Sequence, residues 1–573
     1  MKIVFFAAAL LIFSSSAFAK TYDLEIKKQN VFITGKAVEA ITINNSIPAP
    51  TLRFKEGEDV VIRVKNLMDE ETSLHWHGIL LDGKMDGVPG LNGFHGIAPQ
   101  ETFTYKFKIR QSGTYWYHSH SNLQEQRGAY GAIVIESRGS KAGSPYLRGS
   151  SERVSGAMGL NKAGSPYLRG SSERVSGAMG LNKADHVIVL SDFTEENPTT
   201  ILNNLKIDSG YYNYNKRTIF TFFSDAKKNG FFSTLGDYLS WGEMRMDPTD
   251  LADVSKYHFL INGKTAQQNW TEIFKKNQRV KLRFVNASAM TIFDVSIPEI
   301  IPLSRGIELS RSEAKRNEGG SYLKMKFVEA DGQAIKPVVA DEFRIGVAET
   351  YDVIVEPKED KAYTIFAESL DRTGYARATL APRQGMSGEI PKMRPRAILT
   401  MADMKMEGMD HEMEGMEMGG ESGWAERGTP AGKKALSYSD LVSLHPQQDL
   451  RQPTREIEFK FGGSMNRYIW TINGEKFPQP THLKFGERVR LKFINDTMMA
   501  HPVHLHGMFM QMENSDEMKW LPNKHTVIVP PAQTVSMLLT ANEAGEWAFH
   551  CHLLFHMASG MMSSVTVEKE GNE

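Results

Sequence analysis

Four His-x-His pairs punctuate this sequence: His75/His77, His118/His120, His504/His506 and His550/His552. With 17 histidines in 573 residues, random placement gives about 0.5 such pairs. A single pair is often just two surface histidines, but four, two toward each end, need another explanation. Side chains alternate faces along a β-strand, so residues i and i+2 point the same way. Each pair therefore presents two imidazoles to one side of a strand, and eight imidazoles make a cluster rather than a single metal site.

The rest of the chain supplies strands to carry them. Val60-Val61-Ile62-Arg63-Val64 and Arg488-Val489-Arg490-Leu491-Lys492-Phe493 are β-branched or alternating runs bounded by Gly, Pro and Asn. Long amphipathic helical patterns are scarce, which points to an all-β chain of sandwiches or barrels. One pattern recurs three times. It runs from Asn44 through Pro50, Phe54, Gly57-Glu58 and Val60 to Asn66. It returns as Ile261-Asn262-Gly263, Phe274 and Val280 to Asn286, and again from Asn473-Gly474 through Phe485-Gly486-Glu487 and Val489 to Asn495. Each copy is a turn, a strand and an asparagine exit, which reads as three related β domains. The length agrees, at roughly 100–200 residues per domain. A second pattern recurs only twice: Gly113 to His120 matches Gly545 to His552. The middle counterpart, Lys361 to Glu368, has no histidine, so the middle domain reads as a spacer without metal ligands.

Lys2, the apolar run Ile3 to Phe13 and Ala17-Phe18-Ala19 predict a secretory signal peptide over residues 1–19, cleaved near Ala19. That run is shorter than the roughly 20 residues a bilayer requires. No later segment is long and apolar enough, so membrane insertion is not expected. The net charge of −1 gives no field to attract nucleic acid or an anionic membrane. An exported chain enters a compartment where disulfides form, yet Cys551 is the single cysteine. Such a thiol is buried and inert, pairs with another chain, or binds metal.

Its neighbours favour metal. Cys551 lies between His550 and His552, so on a strand it points to the opposite face from both. His556 and Met561 follow it, and His501 stands three residues before His504. Two histidines, a thiolate and a weak axial methionine make a blue-copper electron-transfer set.

Three segments stand apart. Residues 141–161 and 162–182 are identical, which implies a recent duplication, and their Gly/Ser/Arg composition predicts a disordered loop. Residues 299–320 form a similarly polar insert. In residues 401–418, Met401, Met404, Met406, Met409, Met413, Met416 and Met418 alternate with acids and glycines around His411. This reads either as a disordered acidic linker or as a copper-collecting loop, because thioethers are soft ligands that select Cu(I).

Taken together, His75-Trp76-His77-Gly78, His118-Ser119-His120, His501-Pro502-Val503-His504-Leu505-His506-Gly507 and His550-Cys551-His552 with His556 and Met561 resemble the four copper signatures of the multicopper oxidases. The resemblance spans the mature chain apart from the two inserts. The methionine-rich segment, with Met498, Met499, Met508, Met510, Met512 and Met518, is similar to that of the periplasmic copper-resistance proteins CopA and PcoA. The resemblance implies three cupredoxin-like Greek-key β-sandwich domains and four copper ions. It places type 1 copper on His501, Cys551, His556 and Met561, and type 2 copper on His75 and His504. It places the binuclear type 3 pair on His77, His118, His120, His506, His550 and His552. It also implies one-electron oxidation of a reductant coupled to four-electron reduction of O2 to water. Asp86 matches a family position that assists proton delivery, although an Asp before Gly is also an ordinary turn residue. Where some relatives carry a second acid after the type 1 histidine, this chain has Met557.

The expected division is a signal peptide at 1–19, domain 1 at 20–137, the duplicated insert within 138–184, domain 2 at 185–400, a methionine-rich linker at 401–435 and domain 3 at 436–573. The leading expectation is a periplasmic enzyme that oxidises Cu(I) to Cu(II) in copper tolerance, with O2 as acceptor and periplasmic copper-handling proteins as partners. The alternatives are a laccase-like oxidase of phenols or small organic reductants, and a copper-sequestering protein.

Overall fold

A computed structural model describes residues 20–138, 184–213, 218–243, 251–299, 321–395, 424, 427–464, 467–515 and 517–569. The signal segment, the duplicated insert, the polar insert beyond Glu299 and the methionine-rich run 401–418 lie outside the described residues.

Six sheets pair into three β-sandwiches. Each opens with a strand that runs parallel to a later one in the same sheet. Lys20–Val31 pairs with Asp59–Asn66, Ala184–Phe193 with Val280–Asn286, and Glu456–Ser464 with Arg488–Asn495. The threefold sequence pattern thus marks a repeated topology. Its asparagines explain themselves. Asn44, Asn262 and Asn473 take positive φ of 50°, 50° and 53° at hairpin turns, which Asn tolerates better than most residues. Each side-chain oxygen accepts a hydrogen bond from the opening strand, at Glu25, Val189 and Lys460 respectively. The exit residues Asn66, Asn286 and Asn495 are buried, and each satisfies two or more backbone carbonyls of the loops beyond.

The outer sandwiches alternate buried and exposed positions, as in Asp59–Asn66, where one face meets the core and the other meets water. The middle strand Val280–Asn286 is buried at every position, including Lys281 and Arg283. Those charges are tolerated because they are paired: Lys281 with Asp352 at 2.7 Å, and Arg283 with Asp185 and Asp352 at 2.6 and 2.7 Å. Arg283 also reaches Thr114 of the first sandwich at 2.9 Å, so this face of the middle sheet is an interface.

The middle sandwich also carries helices that strand periodicity does not announce: Pro198–Ile207, Ile219–Asn229 and Phe231–Glu243. The first is capped by Asn197 with Pro198 next to it, a standard helix opening. The first and third sandwiches meet directly through Asn92, which bonds the backbone and carboxylate of Glu546, and through Arg110 and Glu543 at 2.9 Å. No described helix is long and apolar enough to cross a membrane.

Candidate metal centres

The histidine pairs come from equivalent strands of the outer sandwiches. His75–His77 lies antiparallel to Gly113–His118, with His75 opposite His118. His501–Leu505 lies antiparallel to Gly545–Cys551, with His504 opposite His550. The two outer domains face each other, and their eight imidazoles converge. Two trihistidine groups result, His77/His118/His552 and His120/His506/His550, each with one nitrogen per residue within 4.8 Å of the others. A third group joins His75, His504 and His506. Every group draws on both outer domains, so none exists until these have docked.

Backbone and carboxylate oxygens fix which nitrogen faces inward. Nδ1 of His504 is held by the His525 carbonyl at 2.7 Å, and Nδ1 of His550 by the Cys551 carbonyl at 3.0 Å. Asp86 clips two domains together: its carbonyl lies 2.9 Å from His75 Nδ1 and its carboxylate 2.8 Å from His506 Nδ1. Glu125 does the same on the far side, 3.0 Å from His118 Nδ1 and 3.9 Å from His552 Nδ1. Outer-shell partners of this kind set tautomer and ring orientation. Burial holds His77, His118, His504, His506 and His552 well below the ordinary imidazole range, aided by their mutual repulsion. Neutral imidazole is the ligating form. Burial likewise raises the Glu125 carboxyl well above its ordinary range.

Cys551 points away from that cluster into the third sandwich. Its sulfur lies 3.6 Å from His501 Nδ1 and 3.9 Å from His556 Nδ1, and the two Nδ1 atoms are 3.2 Å apart. Both rings turn Nδ1 inward because Nε2 is held outside, by Thr497 at 2.7 Å for His501 and by Asp253 at 2.7 Å for His556. Trp470 stacks on His556 at 3.8 Å. Met561 is buried beside them, and its carbonyl accepts the Cys551 N–H at 3.1 Å. Burial pushes the Cys551 thiol up, so a thiolate there needs a bound cation.

Multicopper oxidase family models match residues 25–140, 323–384 and 450–571. Copper resistance protein A of Escherichia coli is 42% identical, over 96% of this chain and 92% of its own. The chain belongs to the multicopper oxidase family. A copper resistance protein A homolog of Pseudomonas syringae pv. tomato is 41% identical over the same shares of the two chains. Multicopper oxidase MmcO of Mycobacterium tuberculosis is 27% identical over 94% of this chain and 86% of its own. Among solved structures, Fet3p, a multicopper oxidase that functions in iron import, aligns at TM-score 0.63 and 17% identity, covering 96% of this chain and 90% of that one. The laccase of Botrytis aclada aligns at 0.61 and 17%, covering 96% and 87%.

Copper fits this oxidase on the evidence of its own atoms. Nε2 of His75, His118, His504 and His552 and both nitrogens of His77 are buried without a hydrogen-bond partner. Each bare polar atom in a dry interior costs about 1–3 kcal/mol unless something binds it. Asp86 and the twelve motif residues all lie within these two regions, and so do Asp253 and Glu125, which the sequence reading misses. Asp253 reaches His556 from the middle domain, 303 residues away, and also accepts the Tyr468 hydroxyl at 2.7 Å. No local pattern marks it. Glu125 was legible: it stands six residues after Ser119 as Met557 stands six after Cys551.

Proposed function

We propose that this oxidase holds type 1 copper on His501, Cys551, His556 and Met561, type 2 copper on His75 and His504, and the type 3 pair on the other six pair histidines. The observation that carries this is the His550-Cys551-His552 strand, whose central side chain faces one ligand group while its neighbours face the other. Bound copper would supply one-electron steps and the open positions at which O2 is reduced to water. The protein's part is placement. At 0% exposure for His501, Cys551, His556 and Met561, water is excluded from the type 1 ligands. Asp253, itself buried, holds the outer nitrogen of His556 and ties the type 1 ligands to the middle domain. Asp86 and Glu125 orient four cluster histidines, and burial raises the Glu125 carboxyl beside His118 and His552 above its ordinary range.

The reductant we propose is Cu(I), oxidised to Cu(II) in copper tolerance after export to the periplasm. Both the identity to copper resistance protein A and residues 401–418 support this. Trp424, just beyond that run, packs against the cluster that includes Leu251, Met498 and Ala500, the last adjacent in sequence to the proposed type 1 ligand His501. A laccase-like use of phenols has less support, because the type 1 ligands are sealed and Met498 and Met499 are buried close by. The test is O2 uptake with Cu(I) as sole reductant, with and without residues 401–418. Uptake should weaken at low copper when they are deleted. Equal kinetics would remove the segment from the mechanism, and no uptake from either chain would overturn the cuprous-oxidase reading.

A further inference from the structure

Lys524-His525-Thr526 belongs to none of the copper signatures, yet it lies against the cluster. His525 is 1% exposed. Its ring stands edge-on to His77 with centroids 4.8 Å apart, and to His504 at 5.4 Å. Nδ1 lies 3.0 Å from the Thr526 hydroxyl, while Nε2 is buried with no partner. His504 is bare on Nε2, and His77 is bare on both nitrogens. One nitrogen from each of these three rings lies within 4.8 Å of the other two, the same closeness as in the groups that hold the type 3 pair.

The position is held from the middle domain. Asp331, at the tip of the hairpin formed by Met325–Ala330 and Gln333–Ala340, accepts the backbone N–H of His525 and of Thr526, both at 3.2 Å. Its carboxylate also pairs with Lys524 at 3.0 Å, and Glu349 takes the same ammonium at 2.9 Å. All three ionised groups are fully buried. Gly78 admits the ring: a Cβ there would stand 2.6 Å from His525 Nε2. A neutral imidazole fixed this firmly, with a free nitrogen aimed at two others, is a preorganised copper ligand.

We propose that His525, His77 and His504 form a further copper position beside the type 2 site, one that receives an ion while the cluster is being filled. This rests on the multicopper reading above. His504 has only Nε2 to give, since its Nδ1 is committed to the His525 carbonyl. The ion must therefore move on when the type 2 position takes that nitrogen, which makes this a transit site.

The test is stepwise return of Cu(II) to the copper-stripped full-length chain, in the parent and in His525→Gln and His525→Phe. Blue absorption tracks the type 1 ion separately, and EPR nitrogen couplings read the rest. The parent should show, at the first cluster-side ion, a mononuclear signal that both variants lack. Loading at limiting copper should slow about 10-fold in the variants, within the range for loss of a supporting group. All three chains should reach the same final copper content. An unchanged first signal and loading rate in the variants would overturn the proposal. Anomalous diffraction from the partly loaded parent tests it without any variant: density among the three rings supports it, and density only at the other positions overturns it. A chain that binds four ions but fails these tests loses only this inference, whereas one that binds no copper loses the multicopper reading as well.

Discussion

The third sandwich carries the ligand set proposed for type 1 copper, and the first carries the same backbone without it. Ser119, Gln124 and Ala129 stand at the spacing of Cys551, His556 and Met561, and Thr72 precedes His75 as His501 precedes His504. The main chain repeats too. Ser119 N–H donates to the Ala129 carbonyl at 2.9 Å and Cys551 N–H to that of Met561 at 3.1 Å. Ala129 N–H bonds the Gln124 carbonyl at 3.2 Å, and Met561 N–H bonds that of His556 at 3.1 Å. In the first domain the pocket closes on itself, with Thr72 and Ser119 donating to the Gln124 side chain at 2.7 and 2.8 Å. In the third, two imidazoles turn their Nδ1 atoms toward a thiol. The cluster needs both domains and is close to symmetric. The proposed type 1 ligands come from one domain, and four side chains set it apart from the other.

The largest expected effect comes from erasing that difference. Cys551→Ser gives the third domain the residue the first already has. Blue absorption and Cu(I)-driven O2 uptake should both vanish, while type 2 copper stays visible by EPR; retained colour would refute the ligand assignment. His506→Ala breaks the symmetric part instead. It should keep the blue site and abolish O2 reduction, which visible absorption and an oxygen electrode read side by side.

A smaller effect follows from exchanging the positions that flank the two pockets. Glu125→Met copies the third domain's Met557 into the first, removing the carboxylate beside His118 and His552. O2 turnover should fall about 10–100-fold, the usual cost of losing an outer-shell partner, with the blue band unchanged. Asp253→Asn should do the converse, altering type 1 absorption and oxidation rate while leaving the cluster's EPR signal alone.

The smallest effect concerns the copper-free chain. Burial lowers His77, His118, His120, His504, His506 and His552 beneath the ordinary 6.5, His525 to about 4 and His550 to about 3. Below pH 6.5 the unfolded chain binds protons that the folded chain refuses, so stability should fall with pH. Each such imidazole contributes up to about 1.4 kcal/mol per pH unit. For His525 the loss should level off near pH 4. Thermal melts of the stripped protein between pH 7 and 4 check the sign, and a flat profile would mean that these rings are not buried neutral.

The sequence reveals whatever strand periodicity or the internal repeat encodes. The histidine pairs follow from alternation along strands, and the asparagines of the turns and exits follow from the threefold pattern. Aligning the first and third domains would also have found Glu125. Asp253, Asp331 and His525 obey no period. They act through contacts between domains, and the middle domain, read as a spacer because its stretch Lys361 to Glu368 has no histidine, supports both metal regions with carboxylates. The helices Ile219–Asn229 and Phe231–Glu243 were equally hidden, because Phe220 and Phe232 are 82% and 84% exposed and so mark no buried face.

The central claim is that Cys551 joins an electron-accepting site to an oxygen-reducing cluster in one chain. Copper content and Cu(I)-dependent O2 uptake, measured together on the purified protein, test it most directly. The account predicts four copper ions per chain and sustained uptake, with one O2 consumed for every four Cu(I) oxidised. Four bound ions without turnover would contradict it and leave a copper-sequestering protein in its place.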